Sequence, residues 1–242
     1  FRKKKIYYLR NKSINDELTI NFFKDLFNYS YIFKYDESSY LKLNKSGLNL
    51  PKKVHKNIIR TKKKHEITSY TIKKNDKDFD EVLDKLIKTK NIHYLSNRVK
   101  EMPKERIIFY RDIALKEFSQ LSCTKINNNF SSFHLGIKDK DTLIYLLPTY
   151  EKKFSSLSPG WIHLDFLIQN SISNNLKTLD LTFGNESYKK RLKCHKLNIF
   201  YVFAFNNLFI LPLVAIEIVF KRLYNSSRLR YYFYLIKVKL TK

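Results

Sequence analysis

Cysteine is nearly absent: the 242 residues hold two, Cys123 and Cys194, and no paired motif surrounds either. A disulfide framework and a thiolate zinc site are thereby set aside, and a reducing, cytoplasmic setting fits best. The six histidines show no metal-ligand spacing, so metal chemistry is not indicated. No repeat of about 20–50 residues recurs, which argues against a solenoid or propeller. The chain opens on Phe1 and RKKKIYYLR without the pattern of a secretory signal. We expect a fragment that has lost its natural N-terminus.

Acidic residues are also scarce, 22 against 47 Lys and Arg, for a formal net charge of +25. That balance points to nucleic acid, an anionic membrane or a phosphorylated ligand. The basic residues divide into 37 Lys and 10 Arg, beside abundant Asn and Ile. An AT-rich coding sequence produces such a profile by itself, whereas readers of nucleic acid lean on Arg for bidentate contacts. Both origins of the charge stay open. Apolar residues are plentiful at 43%, with 15% aromatic, enough for a sizeable core and against global disorder.

KIYYL at 5–9 reads as a short strand, LTINFFKDLF after it as a helix, and YIFKY at 31–35 as a second extended run. PKKVHKNIIRTKKK, 51–64, predicts a helix with Pro at its start and Val54, Ile58 and Ile59 apolar among seven Lys and Arg. It is either a solvated helix with a narrow buried stripe or an anion-binding face. ITSYTI (67–72) predicts a strand. DKDFDEVLDKLIKT then sets Phe79, Val82, Leu83, Leu86 and Ile87 at helical spacing, with acids suited to the N-terminal dipole. PKERIIFYRDIALKEFSQL predicts another helix over 103–121. SSFHLGI (131–137) and TLIYLLP (142–148), separated by KDKD, predict a hairpin. TLDLTF (178–183) follows as a strand, SYKKRLK as a short basic helix, and LNIFYVFAF as a last strand. The expected class is α/β or α+β, one central sheet covered by helices.

Glycine is the other shortage, four residues in all, and Gly136, Gly160 and Gly184 each fall at an edge between predicted elements. Gly160 stands in SSLSPGWIHLDFLIQNS, 155–171, directly after a proline and at the mouth of an apolar helical run. The N–H groups of Gly160, Trp161 and Ile162 lack intrahelical acceptors at such a start. Pro159 fixes the entry angle, and Gly160 leaves room for close approach. A diphosphate there would gain several backbone hydrogen bonds and the positive end of the helix dipole. Ser-Pro-Gly is equally an ordinary turn.

In their order these motifs resemble a known family. The run LGIKDKDTLIYLLPTYEKKFSSLSPGWIHLDFLIQNSISNNLKTLDLTFGNESYKKRLK is similar to the GNAT-superfamily acetyltransferase domain of CelD-type cellulose-biosynthesis proteins and their FemAB-like relatives. The matching positions are Gly136, Tyr145, Ser158-Pro159-Gly160, Leu179-Asp180, Gly184 and Tyr188-Lys189, within residues 40–200 or so. Two positions depart from the pattern. Leu192 stands where an aromatic is usual, and Gly184-Asn185-Glu186 replaces an acidic Gly-Asp-Glu turn. The resemblance implies a GNAT-like mixed central sheet covered by helices. It divides the chain into a remnant of a preceding GNAT-like half (1–43), the acyltransferase domain (44–205) and an apolar, basic helical tail (206–242).

The resemblance further implies acetyl-CoA or another acyl-CoA as donor, held between two parallel strands that splay apart, and no metal. Its diphosphate would lie on Ser158 and the amides of Gly160, Trp161 and Ile162, with Lys153 adding charge. Glu186 and Asp180 become candidate bases, Tyr188 the proton donor to the departing thiolate, and Lys189 and Tyr145 contacts to the acceptor. Plainer readings stand beside these. Asp180 alternates with Leu179 and Leu181, Tyr188 is one of 17 tyrosines, and Lys189 adjoins Lys190 and Arg191. His163 reads as a surface or packing residue rather than a base.

Residues 199–220 approach membrane length, but Asn206, Asn207, Pro212 and Glu217 interrupt them. A strand followed by an apolar helix accounts for the run. The segment 221–242 holds seven basic residues and no acid, so a cytoplasmic protein touching anionic lipid at the inner face of the membrane stays open. Three functions compete. The first is an acyltransferase acting on an amine or hydroxyl of a sugar or envelope-polysaccharide precursor. The second is a FemAB-like aminoacyl transferase using charged tRNA. The third is a non-enzymatic basic protein that binds nucleic acid or lipid.

Overall fold

A computed structural model describes residues 7–11, 29–44, 50–96, 101–184, 186–205 and 216, with side chains over 37–44, 50–95, 101–184, 186–197 and 216. It divides into two compact units, Phe1–Asp36 with Asn198–Lys242, and Glu37–Leu197. In the smaller unit β1 (Tyr7–Asn11) pairs antiparallel with residues 200–204 of β8 (His195–Phe205). The helix expected at LTINFFKDLF and, apart from Ile216, the apolar segment after Phe205 lie outside the described residues. No helix among the described residues is long and apolar enough to cross a membrane.

The larger unit is built on a mixed sheet. Its strands are the part of β2 (Tyr29–Lys42) from Glu37 on, β3 (Ile67–Ile72), β4 (Ser119–Ile126), β5 (Asn129–Asp139), β6 (Thr142–Tyr150) and β7 (Thr178–Phe183), in the order β2-β7-β6-β5-β4-β3. Neighbours run antiparallel except β6 and β7, which are parallel. Helices α1 (Lys52–Lys64), α2 (Phe79–Ser96), α3 (Lys104–Ala114), α4 (Pro159–Ser173) and α5 (Ser187–Arg191) complete it.

Alternation along the strands decides which helix covers which face. Leu121 and Cys123 of β4 and Phe133 and Leu135 of β5 pack with Val82, Leu86 and Tyr110 of α2 and α3. Ser122 of β4 and Ser132 of β5 point the other way, toward α4. The predicted apolar stripe of α2 is buried throughout, from Phe79 to Ile87. On α1, Val54 and Ile58 are buried and brace Ile162 of α4, while Ile59 is exposed and Thr61 takes the inward place. Three lysines in its last turn suit the negative end of the dipole.

The helix expected through Leu121 ends at Ala114, and β4 begins at Ser119. The Ser119 hydroxyl donates to the Ala114 and Lys116 carbonyls and closes the helix. Polar Gln120, Ser122 and Thr124 are buried on the α4 face and alternate with Leu121 and Cys123, an alternation so short that it merges with the helical apolar run before it. Asn127 and Asn128, both at positive φ, make the two-residue turn into β5. The expected hairpin forms, with Lys140 at positive φ between β5 and β6.

One irregularity positions everything that follows. Leu135 pairs with Leu147 and Ile137 with Ile144, so Tyr145 and Leu146 of β6 stand opposite Gly136 alone. This is a β-bulge, which bends and twists its strand. Thr142–Ile144 pair with Thr178–Asp180 of β7, and beyond Ile144 the two parallel strands part. A Cβ at Gly136 would lie 2.5 Å from His134 Cε1, 2.9 Å from the Ile144 carbonyl oxygen and 3.0 Å from Leu143 Cδ1. A main-chain oxygen in that set cannot swing aside. Gly136→Ala is therefore expected to destabilise the protein by roughly 1–3 kcal/mol, the usual cost of overpacking, read as a lower urea midpoint at unchanged slope.

Candidate functional site

A cavity of about 490 Å³ opens where β6 leaves β7. Tyr145 and Thr149 of β6, Gly160 and Trp161 from the first turn of α4, and Lys90 and His93 of α2 form much of its wall. Glu186 and Tyr188, at the start of α5, close another side. All of these residues belong to the larger unit.

Entry into α4 differs from the sequence expectation. A 3₁₀ helix, Lys152–Leu157, precedes it, and the residue in left-handed conformation is Ser158 at φ 57°, not Gly160. The N–H groups of Trp161 and Ile162 donate to the Ser158 carbonyl at 3.0 and 3.2 Å. Two of the three amides expected to cradle a diphosphate are therefore already bonded within the turn. The Gly160 N–H has no acceptor among the described residues, and the Ser155 and Ser158 side chains line the cavity beside it. A Cβ at Gly160 would meet only Tyr150 Cδ1, at an ordinary 3.6 Å. Glycine supplies space here rather than backbone freedom.

Of the residues expected at the site, Tyr145, Ser158, Gly160, Trp161, Glu186 and Tyr188 are brought together on the cavity wall. Ile162 is not. Its side chain is buried with Val54, Ile58 and Ile126. Lys153 is exposed over the Phe154 ring, away from the wall. Asp180, a candidate base, is off the cavity and accepts from the Ser38 hydroxyl at 3.1 Å and the Thr182 N–H at 2.7 Å. Lys189, expected to contact the acceptor, is buried. Its Nζ donates to the carbonyls of Thr182, Phe183 and Gly184 at 3.2, 3.0 and 3.3 Å and pairs with Glu186 at 2.7 Å. Asp180 and Lys189 hold the exit of β7, where Thr182 and Gly184 both take positive φ.

Electrostatics divides the remaining groups. Tyr188 meets Trp161 edge-on, with ring centroids 6.2 Å apart. Burial, then the nearby Tyr145 and Glu186, push its phenol well above the usual tyrosine range, so it keeps its proton at neutral pH. Burial does the same to Tyr145, which stacks on His134 at 4.6 Å. His163 is buried between the Ser122 hydroxyl at Nε2 (2.9 Å) and the Ser132 hydroxyl at Nδ1 (3.1 Å), and burial brings it down to about 3. It is buried in the packing under α4 and also lines the cavity.

The family model described as an acetyltransferase (GNAT) domain matches residues 52–190, more than half of the chain. The chain belongs to that family. Its backbone is similar to FemX (TM-score 0.64, 9% identity, 85% of this chain and 73% of that one). It is also similar to a domain described as the C-terminal part of a lysylphosphatidylglycerol synthetase from Agrobacterium fabrum (0.61, 9%, 84% and 69%). L-PGS from Bacillus licheniformis is a third (0.60, 14%, 85% and 69%). At these identities the likeness is one of fold. A comparison with curated proteins gives no match.

In this GNAT domain the sequence reading passed over Lys90 and His93, which line the cavity, and His134, which stacks behind Tyr145 of its wall. Lys90 and His93 sit on a helix whose apolar stripe reads as pure core support. His134, fully buried, has no hydrogen-bond partner on either ring nitrogen among the described residues. Only its place on the hairpin strand, two residues before the glycine that faces the bulge, could have singled it out.

The two buried imidazoles make the GNAT domain acid-sensitive. In the unfolded chain each takes a proton near the ordinary 6.5, whereas folded His163 holds off to about 3 and His134 is also displaced downward by burial and by His163. Between those values the unfolded chain binds more protons, so stability falls as pH falls from 6.5 toward 3. His163 contributes up to about 1.4 kcal/mol per pH unit in that window, and His134 acts in the same direction. Melting temperature measured from pH 7 to 4.5 should drop, and His163→Gln should flatten the slope.

Proposed function

We propose that this GNAT domain moves an acyl group from acyl-CoA to an amine or hydroxyl acceptor. The observation that carries the reading is the parting of two parallel strands at the β6 bulge, with a cavity between them that holds a helix N-terminus and a proton-retaining phenol. Bound acyl-CoA would supply a thioester carbonyl and a thiolate leaving group. The Gly160 N–H, the hydroxyls of Ser155 and Ser158 and the positive end of α4 would receive its diphosphate. This cradle is thinner in main-chain donors than first expected, and the side-chain hydroxyls make up the set.

Glu186 lines the cavity with a half-exposed carboxylate and is the group placed to take a proton from the acceptor. The acceptor nitrogen or oxygen bonds to the acyl carbon as the carbon–sulfur bond breaks. Its proton passes to Glu186, and the Tyr188 proton goes to the departing sulfur. Burial keeps Tyr188 protonated, so a proton is available there, although the same burial makes the phenol a weaker acid than a free tyrosine. The resemblance to CelD-type proteins points to a sugar or envelope-polysaccharide precursor as acceptor.

A second reading, aminoacyl transfer from charged tRNA, draws support from the FemX and lysylphosphatidylglycerol synthetase likeness and from the net charge of +25. Acetyl-CoA at 100 times its dissociation constant should stabilise the protein by about 2.7 kcal/mol. Absence of any such shift, together with salt-dependent binding of RNA, would favour the second reading. Gly160→Asp fits the open space and suits a helix start. It should leave the unliganded melting temperature unchanged and weaken acetyl-CoA at least roughly tenfold, by like-charge repulsion. Tyr188→Phe should lower kcat about a hundredfold with little change in donor affinity.

A further inference from the structure

Lys90 faces the cavity from α2 with no ion-pair partner among the described residues. Its Nζ donates to the Pro148 carbonyl oxygen at 2.9 Å and stands 5.8 Å from the Tyr94 ring centroid. Among the described residues no carboxylate lies within ion-pairing distance of it. The two nearby acids are engaged elsewhere. Glu151 accepts from the Thr89 hydroxyl at 2.7 Å, and Glu186 pairs with Lys189 at 2.7 Å. An ammonium has three protons to place, and one carbonyl accounts for one of them. Burial costs this cation hydration, and the Glu186 carboxylate partly offsets that by its charge. A partly desolvated cation on the wall of a cavity is satisfied best by an anion entering that cavity.

We propose that Lys90 is the counter-charge for an anionic group, carboxylate or phosphate, carried by the acceptor. The acceptor is then an anion-bearing amine rather than a neutral sugar. This rests on the acyl-transfer reading, in which Glu186 on a different wall receives the amine proton. The donor's diphosphate has its own place at Gly160, Ser155 and Ser158, on the α4 side of the same cavity. The site is therefore bipolar, with a carboxylate at Glu186 and a cation at Lys90.

Matched probes that differ in charge test the idea. Glucosamine 6-phosphate against glucosamine reads the phosphate source, and 4-aminobutanoate against 4-aminobutanamide reads the carboxylate source. Dissociation constants are measured calorimetrically on the full chain, with and without acetyl-CoA, for the unsubstituted protein, Lys90→Met and Lys90→Arg. In at least one pair the charged member should bind about tenfold or more tighter to the unsubstituted protein, as a charge-assisted hydrogen bond allows. Lys90→Met should reduce that preference to about twofold or less while acetyl-CoA affinity stays the same, and Lys90→Arg should keep most of it. Melting temperatures without ligand separate a folding defect from a binding one, and Lys90→Arg keeps the readout if Lys90→Met fails to fold.

No preference for charge in either pair overturns the proposal, as does a preference that survives Lys90→Met. A loss of acetyl-CoA affinity in Lys90→Met with the probe preference intact also overturns it and assigns Lys90 to the donor's phosphates. If acetyl-CoA binds none of the proteins, the acyl-transfer reading fails, and the probe constants measured without it still decide whether Lys90 holds an anion.

Discussion

Close approach between Gly136 and the main chain of Ile144 is the constraint on which the larger unit depends. Only a residue without a Cβ lets β5 run past the Ile144 carbonyl while β6 carries two residues opposite one. The extra residue bends β6 directly after its last pairing with β7. Two parallel strands that would otherwise stay hydrogen-bonded diverge instead. Their divergence leaves polar main-chain edges and side chains of β6 facing a cavity rather than a neighbouring strand. The site is thus a consequence of a packing demand at one glycine, on a strand that contributes little to the cavity wall.

A second group keeps the other strand in place. β7 ends in two residues of positive φ, Thr182 and Gly184, a conformation that threonine adopts only at a cost. The Asp180 carboxylate accepts the Thr182 N–H, and the buried Lys189 ammonium gathers three successive carbonyls beyond it. Removing either partner would strand buried polar groups, which costs more than the hydrogen bonds themselves contribute. Residues whose type and order suggest chemistry are here the clamps that aim Glu186 and Tyr188 into the cavity. A chemical residue type inside a motif is no guide to whether the side chain faces the substrate or the backbone behind it.

Elements with one clean face were legible in the sequence. ITSYTI and TLDLTF become β3 and β7 with the predicted bounds, and the stripe from Phe79 to Ile87 is the buried face of α2. β4 was missed because its alternating run is short and directly follows a helical apolar pattern that absorbs Phe118 and Leu121. Gln120, Ser122 and Thr124 lie under α4 while Leu121 and Cys123 meet α2 and α3. For the site, the helix start at 159 and the Glu186–Tyr188 segment were readable as places where the backbone turns. Lys90 was hidden because it follows an apolar stripe, and nothing in sequence separates a lysine that covers a cavity from one that covers solvent.

The polar layer under α4 has a physical reason of its own. The Ser132 hydroxyl reaches both the Pro159 carbonyl at 3.3 Å and His163 Nδ1, and Ser122 holds the opposite side of the same ring. An apolar interface would let α4 slide or rotate against the sheet at small cost, since apolar contact is non-directional. Two directional bonds to one imidazole fix both its height and its rotation at the turn that carries Gly160 and Trp161. His134 extends the layer by stacking on Tyr145, so a cavity wall is backed by a ring that is itself in edge contact with His163. Keeping both imidazoles neutral is the condition for this arrangement, because a buried cation here would have no carboxylate to meet. The layer that sets the geometry of the cavity is thus the one whose protonation opposes folding as pH falls.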